Sequence, residues 1–393
     1  MMQATTDFST RVWAEINLDS IIHNYNLCKS LLPERMQIIA VVKANAYGHG
    51  AIQIAHHLNS LGCTSFAVSN ITEAVSLRKG NIKGTILVLG YVHWQDVGLL
   101  ARYNITATVY STEYALLLNQ QATKLGYVID THIKIDTGMG RIGWLVDDEQ
   151  VYKHILHVSM LSNLRIKGIY THLSVADSQD SANQQFTAQQ IDRFEQLVEQ
   201  LLRQYGLQFE VIHCCNSAGT FCYGRHIGNA IRVGICLYGL YPNNYCLSHL
   251  PLQPSMTVKS TISYVKGIKA NQYISYGRTY RSTRDMSVAT VTIGYADGYN
   301  RLLSNNGQMW VNGHLAPIVG RVTMDQTMID VTDIDCRMGD NVIIFGPPSD
   351  ISMELLSRSI GTINYETACC ISARVPRVFI KNNRVVDIDR YIY

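Results

Sequence analysis

The sequence predicts a (β/α)8 TIM-type barrel followed by a mainly β domain, an α/β plus all-β architecture. Three observations predict it. Eight compact apolar runs occur at residues 37–42, 65–68, 85–89, 106–109, 131–135, 168–170, 210–213 and 231–237, each bounded by polar residues or glycine as buried strands are. Helix-like stretches separate them, and a strand–helix alternation repeated eight times points to a parallel sheet closed into a barrel. Three prolines in residues 241–254 (YPNNYCLSHLPLQP) then break the pattern, as linkers do.

The first run, QIIAVV, stops at Lys43. SFAV, TILVL and TATV follow at intervals that leave room for a helix each, and THIKI, GIY, EVIH and IRVGICL complete the set. The clearest helix spans 187–205, where Ile191, Phe194, Leu197, Val198, Leu201 and Leu202 recur at helical spacing and Gly206 follows as a stop signal. An open doubly wound sheet is the alternative arrangement of the same units. Beyond the prolines, MTVKSTISYVKGI, SVATVTIGY, APIVGRV and DNVIIFG read as strands joined by turns, and helical periodicity is scarce until 352–360. The expected division is a barrel of residues 1–247, with the first 12 or so packing on the second domain, and a β domain of residues 248–393.

Composition excludes several classes. The 393-residue chain has a formal net charge of +3, too small to indicate nucleic acid or a membrane surface as a partner. No apolar stretch reaches the ~18–20 residues of a membrane-spanning helix. The polar start, MMQATTDFSTR, lacks the apolar core of a secretion signal, which favours the cytoplasm. The ten cysteines are irregularly spaced, with two adjacent pairs (Cys214–Cys215 and Cys369–Cys370) and no C-x-x-C. The expectation is buried free thiols, with no disulfide framework and no metal site.

Chemistry enters at VVKANAYGHG (41–50). Lys43 stands where an apolar strand stops, at the end that carries the active site in a barrel. Desolvation there disfavours the ammonium form and frees an amine able to condense with a carbonyl. Taken alone, a strand-end lysine is more often a solvated charge. GMGRIG (138–143) reads G-x-G-x-x-G after a strand. It follows the fifth run, however, and no second strand ends in an acidic residue about twenty positions later, so it does not indicate a dinucleotide site.

KANAYGHG closely resembles the lysine motif of the alanine racemases, which use pyridoxal 5'-phosphate (PLP). HIKIDTGMGRIG (132–143), YTHL (170–173), NSAG (216–219), RVGICLYG (232–239), SYGRTY (275–280), IGYADGY (293–299), GRVTMDQ (320–326) and INYE (363–366) follow in that family's order. The resemblance covers nearly the whole chain and implies the fold read above.

It also implies roles. Lys43 holds PLP and then serves as base on one face of the substrate's α-carbon, handling the D-enantiomer. Tyr276, from the second subunit of a homodimer, serves the other face and the L-enantiomer. A phenol with an unperturbed pKa of ~10 is a poor base and needs positive charge nearby; the family's hydrogen-bond chain beneath it consists of His172 and Arg232. Arg232 faces the pyridine nitrogen, and because a guanidinium keeps its proton, that nitrogen stays unprotonated and transamination is suppressed. Ser217, Tyr47, Tyr365 and the amides of Gly234 and Ile235 hold the phosphate, and His172 and Asn216 complete the cofactor set. Arg141 engages the substrate carboxylate and the cofactor's phenolic oxygen. Lys134 matches a lysine carbamylated to N6-carboxylysine in many members; the resemblance leaves it open between amine and carbamate. The backbone at Met324, beside Asp325, is the substrate contact from the partner. Tyr276 and Tyr365 narrow the entrance, with Arg301, Arg321 and Ile363 further out, which favours alanine over serine by only ~1–3 kcal/mol. The implied function is interconversion of L- and D-alanine, supplying D-alanine for peptidoglycan.

Two departures stand beside the cofactor residues. Val233 replaces a proline common in the family, and Cys214–Cys215 replace the small residues usual before Asn216. They leave substrate breadth open. The alternatives are a serine or broad-specificity racemase, a PLP-dependent decarboxylase on a similar two-domain plan, and a non-catalytic PLP carrier built on the barrel alone. SYGRTY and GRVTMDQ in the second domain argue against the last two.

Overall fold

The computed structural model describes residues 11–390 except 226, 244, 245, 247, 248, 347 and 348. The chain opens with strand β1 (Val12–Asn17) and helix α1 (Leu18–Ser30). Asn17 caps α1 by accepting from the amides of Asp19 and Ser20.

The eight apolar runs of the first part all form strands: β2 (Gln37–Val41), β3 (Ser65–Val68), β4 (Thr85–Val88), β5 (Ala107–Val109), β6 (Ile129–Asp136), β8 (Leu164–Tyr170), β9 (Val211–His213) and β10 (Ala230–Val233); β7 (Trp144–Leu145) is a short addition beside β6. The eight are parallel in the order β4-β3-β2-β10-β9-β8-β6-β5, and a parallel bridge from Leu87 to Thr106 joins β4 to β5 and closes the ring. Their side chains form one apolar core with the surrounding helices; Ala40, Phe66, Ile86, Val109, Ile133, Ile169 and Ile231 are all within it. Burial on both faces is why these strands read as short continuous apolar runs without alternation.

Several boundaries differ from expectation: β6 and β8 start earlier, at Ile129 and Leu164, and two further differences bear on the site or the long helix. The eighth run stops at Val233 instead of continuing to 237. Gly234 turns the chain and Ile235–Tyr238 form a 3-10 turn, so the Gly234 and Ile235 amides sit beyond the carboxyl end of the barrel. The long helix starts at Ser181 and ends at Arg203. Asp180 caps it by accepting from Ala182 and Asn183, a polar start that apolar periodicity does not report.

The second part continues with β11 (Met256–Ile268), β12 (Tyr273–Ile274), β13 (Tyr280–Arg281), β14 (Met286–Val291), β15 (Gln308–Val311), β16 (His314–Pro317), β17 (Thr327–Asp330), β18 (Asn341–Phe345), β19 (Arg377–Lys381) and β20 (Arg384–Asp389). A nine-stranded sheet runs β16-β15-β18-β11-β1-β19-β20, with β14 on the far half of β11 and β17 on β14. Strand β1 therefore lies inside this sheet, antiparallel to β11 and parallel to β19. The expected domain boundary between 247 and 248 falls outside the described residues, as do residues 1–10. Two short helices, Met353–Ser359 and Asn364–Cys370, interrupt the strands; the second had no periodic signal.

The cysteine expectation needs correction. Cys222 and Cys246 form a disulfide with Cα atoms 5.8 Å apart, because the turn after β9 folds back against the segment after β10, a proximity that spacing does not encode. Cys28, Cys63, Cys214, Cys215 and Cys236 are buried free thiols, whereas Cys369 and Cys370 are exposed. Among the described residues no cluster of potential metal ligands occurs and no helix is long and apolar enough to cross a membrane.

Candidate active site

Lys43 leaves β2 at its carboxyl end and begins a left-handed turn. Ala44, Asn45, Ala46 and Tyr47 all have positive φ, between 52° and 55°. Such a conformation costs an L-residue about 1–2 kcal/mol, so the turn needs external support. Glu73 supplies it, accepting from the amides of Ala44 and Ser69 at 2.7 Å each, and Asn45 accepts from the Ala51 amide. At Gly48 (φ +81°) a Cβ would lie 2.3 Å from the Ala368 carbonyl oxygen, so this turn and helix Asn364–Cys370 touch backbone to backbone.

The carboxyl ends of the barrel strands enclose two adjoining cavities, of about 430 and 310 Å3, that share Lys43, Leu89, His172 and Arg232 on their walls. The larger is also lined by Tyr47, Asn216, Ser217, Gly234, Ile235 and Tyr365. The smaller adds Lys134, Arg141 and Tyr170. The residues expected around the cofactor are thus brought together by four separate barrel-strand ends and one helix of the second part.

Electrostatics follow from crowding cations into a desolvated space. Burial lowers the Lys43 pKa, Arg141 and Arg232 lower it further, and Cys369 and Glu73 oppose them. Lys134, buried to 2 % exposure, donates to the Ile135 carbonyl at 2.6 Å; burial first, then Arg232, brings its pKa down to about 7. Arg141, by contrast, is exposed and forms no ion pair with any described residue. The loop before Arg141 is organised by Asp136, which accepts from the amides of Gly138, Met139 and Gly140.

Arg232 is the structural hub. Its Nη1 lies 2.8 Å from His213 Nδ1 and donates to the His213 carbonyl. Its Nη2 donates to the carbonyls of Thr171 and Cys214 and lies 3.2 Å from His172 Nδ1. The Nε–H has no partner among the described residues. His213 Nε2 in turn lies 2.9 Å from His132 Nδ1. His172 and His213 are held well below the ordinary histidine pKa by burial first and by Arg232 next, and burial lowers His132 to about 4. These neutral rings can share hydrogen bonds with a permanent cation, whereas protonated ones would repel it. His132, His213, Asp136 and Glu73 were missed by sequence reasoning. The only signal for the two histidines was a polar ring inside an otherwise apolar strand.

Also on the wall of the larger cavity, the Gly234 amide donates to Ser217 Oγ at 3.0 Å. A Cβ at position 234 would lie 2.5 Å from Tyr47 Oη, so only glycine leaves the cradle open. Hydroxyls and amides gather there, a donor set suited to a phosphate.

Tyr276 and Met324 are not brought to Lys43. Their exposures are 73 % and 53 %, and neither lines the two cavities. Both project from the second part on loops held firmly from within. Ser275 Oγ donates to the Arg321 carbonyl, and the amides of Tyr295 and Ala296 donate to the Thr323 and Met324 carbonyls. Asp297, fully buried, accepts both terminal nitrogens of Arg11 and Nε of Arg374 at 2.8 Å each, and the Gly294 amide at 2.9 Å. Arg374 also reaches Asp325.

Family models of the alanine racemase N-terminal domain and C-terminal domain match residues 16–242 and 255–379. The chain belongs to the alanine racemase family. Among its relatives, the alanine racemase of Clostridium novyi (strain NT) is 42 % identical over 386 residues, covering 97 % of this chain and 98 % of that protein. That of Desulforamulus reducens is 42 % identical over 371 residues, covering 94 % and 99 %. Solved alanine racemases share the fold. The Clostridium difficile 630 structure matches with a TM-score of 0.93 at 37 % identity, over 98 % of this chain and 100 % of that one. The Bacillus anthracis enzyme, solved with bound L-Ala-P, matches with a TM-score of 0.91 at 35 % identity, over 98 % and 99 %. Alanine racemase family membership agrees with the two-part architecture and disfavours the open doubly wound sheet.

Proposed function

We propose that this protein racemises alanine with PLP as cofactor, in a cytoplasmic homodimer whose sites are shared between subunits, and that it supplies D-alanine for peptidoglycan. One observation carries the reading: Lys43, Tyr47, His172, Asn216, Ser217, Arg232, Gly234, Ile235 and Tyr365 line a single cavity, while Tyr276 stands exposed on the other part of the chain.

When bound, PLP supplies an electron sink for the negative charge left at the substrate's α-carbon. Lys43 would hold its aldehyde end, and Ser217, Tyr47, Tyr365 and the amides of Gly234 and Ile235 its phosphate. Arg232 would offer its one unengaged N–H to the ring nitrogen, and a guanidinium that keeps its proton leaves that nitrogen unprotonated. The depressed pKa of Lys43 puts more of its amine in the neutral, basic form, fit to take or return a proton on one face of the α-carbon. Tyr276 and the Met324 backbone of a partner subunit would serve the other face, with His172 and Arg232 as the hydrogen-bond chain beneath the phenol. Arg141 would take the substrate carboxylate.

Lys134 would be carbamylated. Its amine, half neutral near pH 7, attacks carbon dioxide, forms an N–C bond and loses one proton, leaving an anion between Arg232 and Arg141. A 13C carbamate signal after incubation with labelled carbon dioxide, absent from Lys134→Ala, is the expected result.

The main test is a chiral assay with L- and D-alanine, and serine for breadth, on Lys43→Ala, Tyr276→Phe and an equimolar mixture of the two. Each variant alone should be inactive. Half of a randomly re-associated mixture is heterodimer with one intact site of two, so roughly a quarter of wild-type activity should return. An inactive mixture of verified heterodimers would refute shared sites, and a wild-type protein inactive with PLP would refute the racemase reading.

A further inference from the structure

His49 closes the motif that carries Lys43, yet nothing in the catalytic arrangement uses it. It is buried to 0 % exposure. Its Nδ1 lies 3.0 Å from the Ala46 carbonyl oxygen and 2.9 Å from that of Tyr47. Carbonyl oxygens only accept, so the ring proton sits on Nδ1 and Nε2 presents a bare lone pair. Burial keeps the ring neutral, with its pKa lowered to about 4. Among the described residues Nε2 has no hydrogen-bond partner, a state that nearly all buried polar groups avoid.

The same ring lines a cavity of about 520 Å3 where the end of the barrel, the segment joining the two parts and helix Met353–Ser359 meet. That volume lies within the range of small-molecule sites. The walls are largely apolar, with Tyr238, Leu252, Met256 and Met353 among them. A single layer of side chains links this space to the cofactor cavity. The Tyr238 ring lies 4.6 Å from His49 and 5.0 Å from Tyr47, centroid to centroid. Asn364, next to Tyr365, donates to the Tyr241 carbonyl and to Glu354, both on the wall of the new cavity.

We propose that this cavity is a second ligand site, which takes a small hydroxylated aromatic molecule whose O–H donates to His49 Nε2 while its ring rests on Tyr238, Leu252 and Met353. Apolar walls select the ring, and the unpartnered Nε2 selects a donor on it, while Ser352, Glu354 and Arg358 form the polar part of the wall. An ionised carboxylate has no proton to donate to Nε2. A water molecule would satisfy Nε2 but leave the walls unfilled.

The test uses the holoenzyme and two probes of nearly equal shape, phenol and toluene, titrated by ligand-observed NMR, with phenol soaked into crystals to locate it. One added hydrogen bond to a buried acceptor corresponds to about a tenfold affinity difference. Phenol should therefore bind about tenfold more tightly than toluene, with its oxygen on Nε2. Leu355→Trp, at a partly exposed wall position, should weaken phenol binding at least tenfold while racemase turnover is retained, which separates this site from the catalytic one. Equal affinity for the two probes, phenol binding unaffected by Leu355→Trp, or crystals showing only a water on Nε2 would each overturn the proposal. The probe comparison stands on the wild-type protein alone, whatever the stability of the variant.

Discussion

Acidification from pH 7.5 to 5.5 should strip about 3 kcal/mol from the folded protein through two buried histidines. His49 and His132 are exposed to 0 % and 2 %, and burial lowers each pKa from 6.5 to about 4. Above pH 6.5 neither the folded nor the unfolded chain protonates these rings, and their contribution to stability is fully present. As the pH falls below 6.5 the unfolded chain takes up two protons that the folded chain refuses, so stability declines until the pH reaches about 4. One unit below 6.5 the loss is about 1.4 kcal/mol per ring. His172 and His213, also held low, add to the effect with the same sign. The assay is the urea midpoint of the holoenzyme at fixed protein concentration at the two pH values, for wild type and for His132→Gln. The variant removes one titrating ring and keeps a hydrogen-bond acceptor for the His213 Nε2–H, so its loss should be smaller by about 1.4 kcal/mol. Identical midpoints at the two pH values in wild type, or an identical loss in the variant, would refute the reasoning.

Other consequences are equally concrete. Gly234→Ala places a methyl 2.5 Å from Tyr47 Oη, and since Tyr47 is itself buried and cannot swing away, PLP retention after dialysis, read by absorbance, should fall about tenfold or more; full retention would contradict the cradle. Arg141→Ala should raise the alanine KM roughly ten- to a hundredfold, the worth of a charged hydrogen bond, with Arg141→Lys recovering part of it in steady-state kinetics. Asp297→Asn leaves Arg11 and Arg374 facing a neutral group, and because both arginines remain partly solvated the cost should be about 2–3 kcal/mol, seen as a lower urea midpoint.

Much of the barrel was legible because its strands are buried on both faces: runs such as SFAV and TILV have no reading other than buried strand or core helix, and their length decides. The end of β10 was not legible, since IRVGICL is apolar throughout and only the backbone turn at Gly234 separates strand from 3-10 turn. The start of the long helix escaped for the opposite reason, its first turns being polar. At the site, motif order identified the residues that gather around Lys43, but not what supports them. Glu73 and Asp136 act on backbone amides, a role that leaves no side-chain pattern, and the His132–His213 pair becomes adjacent only when β6 and β9 take their places on either side of β8. The position of Tyr276 is the extreme case. Tyr276 is a surface tyrosine in the single chain, and the role proposed for it needs a second copy.

The placement of β1 has a consequence for how the chain is made. Its neighbours in the sheet are β11 and β19, and the second of these emerges from the ribosome roughly 360 residues after β1 does, a wait of about 20–70 s at ordinary rates of synthesis. Until β11 follows, the nascent barrel carries an unpaired strand at its amino end, and one edge of that strand stays open until β19 arrives. Cellular folding of this protein therefore closes like a clasp whose first piece is synthesised long before its last, and stalled or truncated translation products should be the species that chaperones and proteases meet.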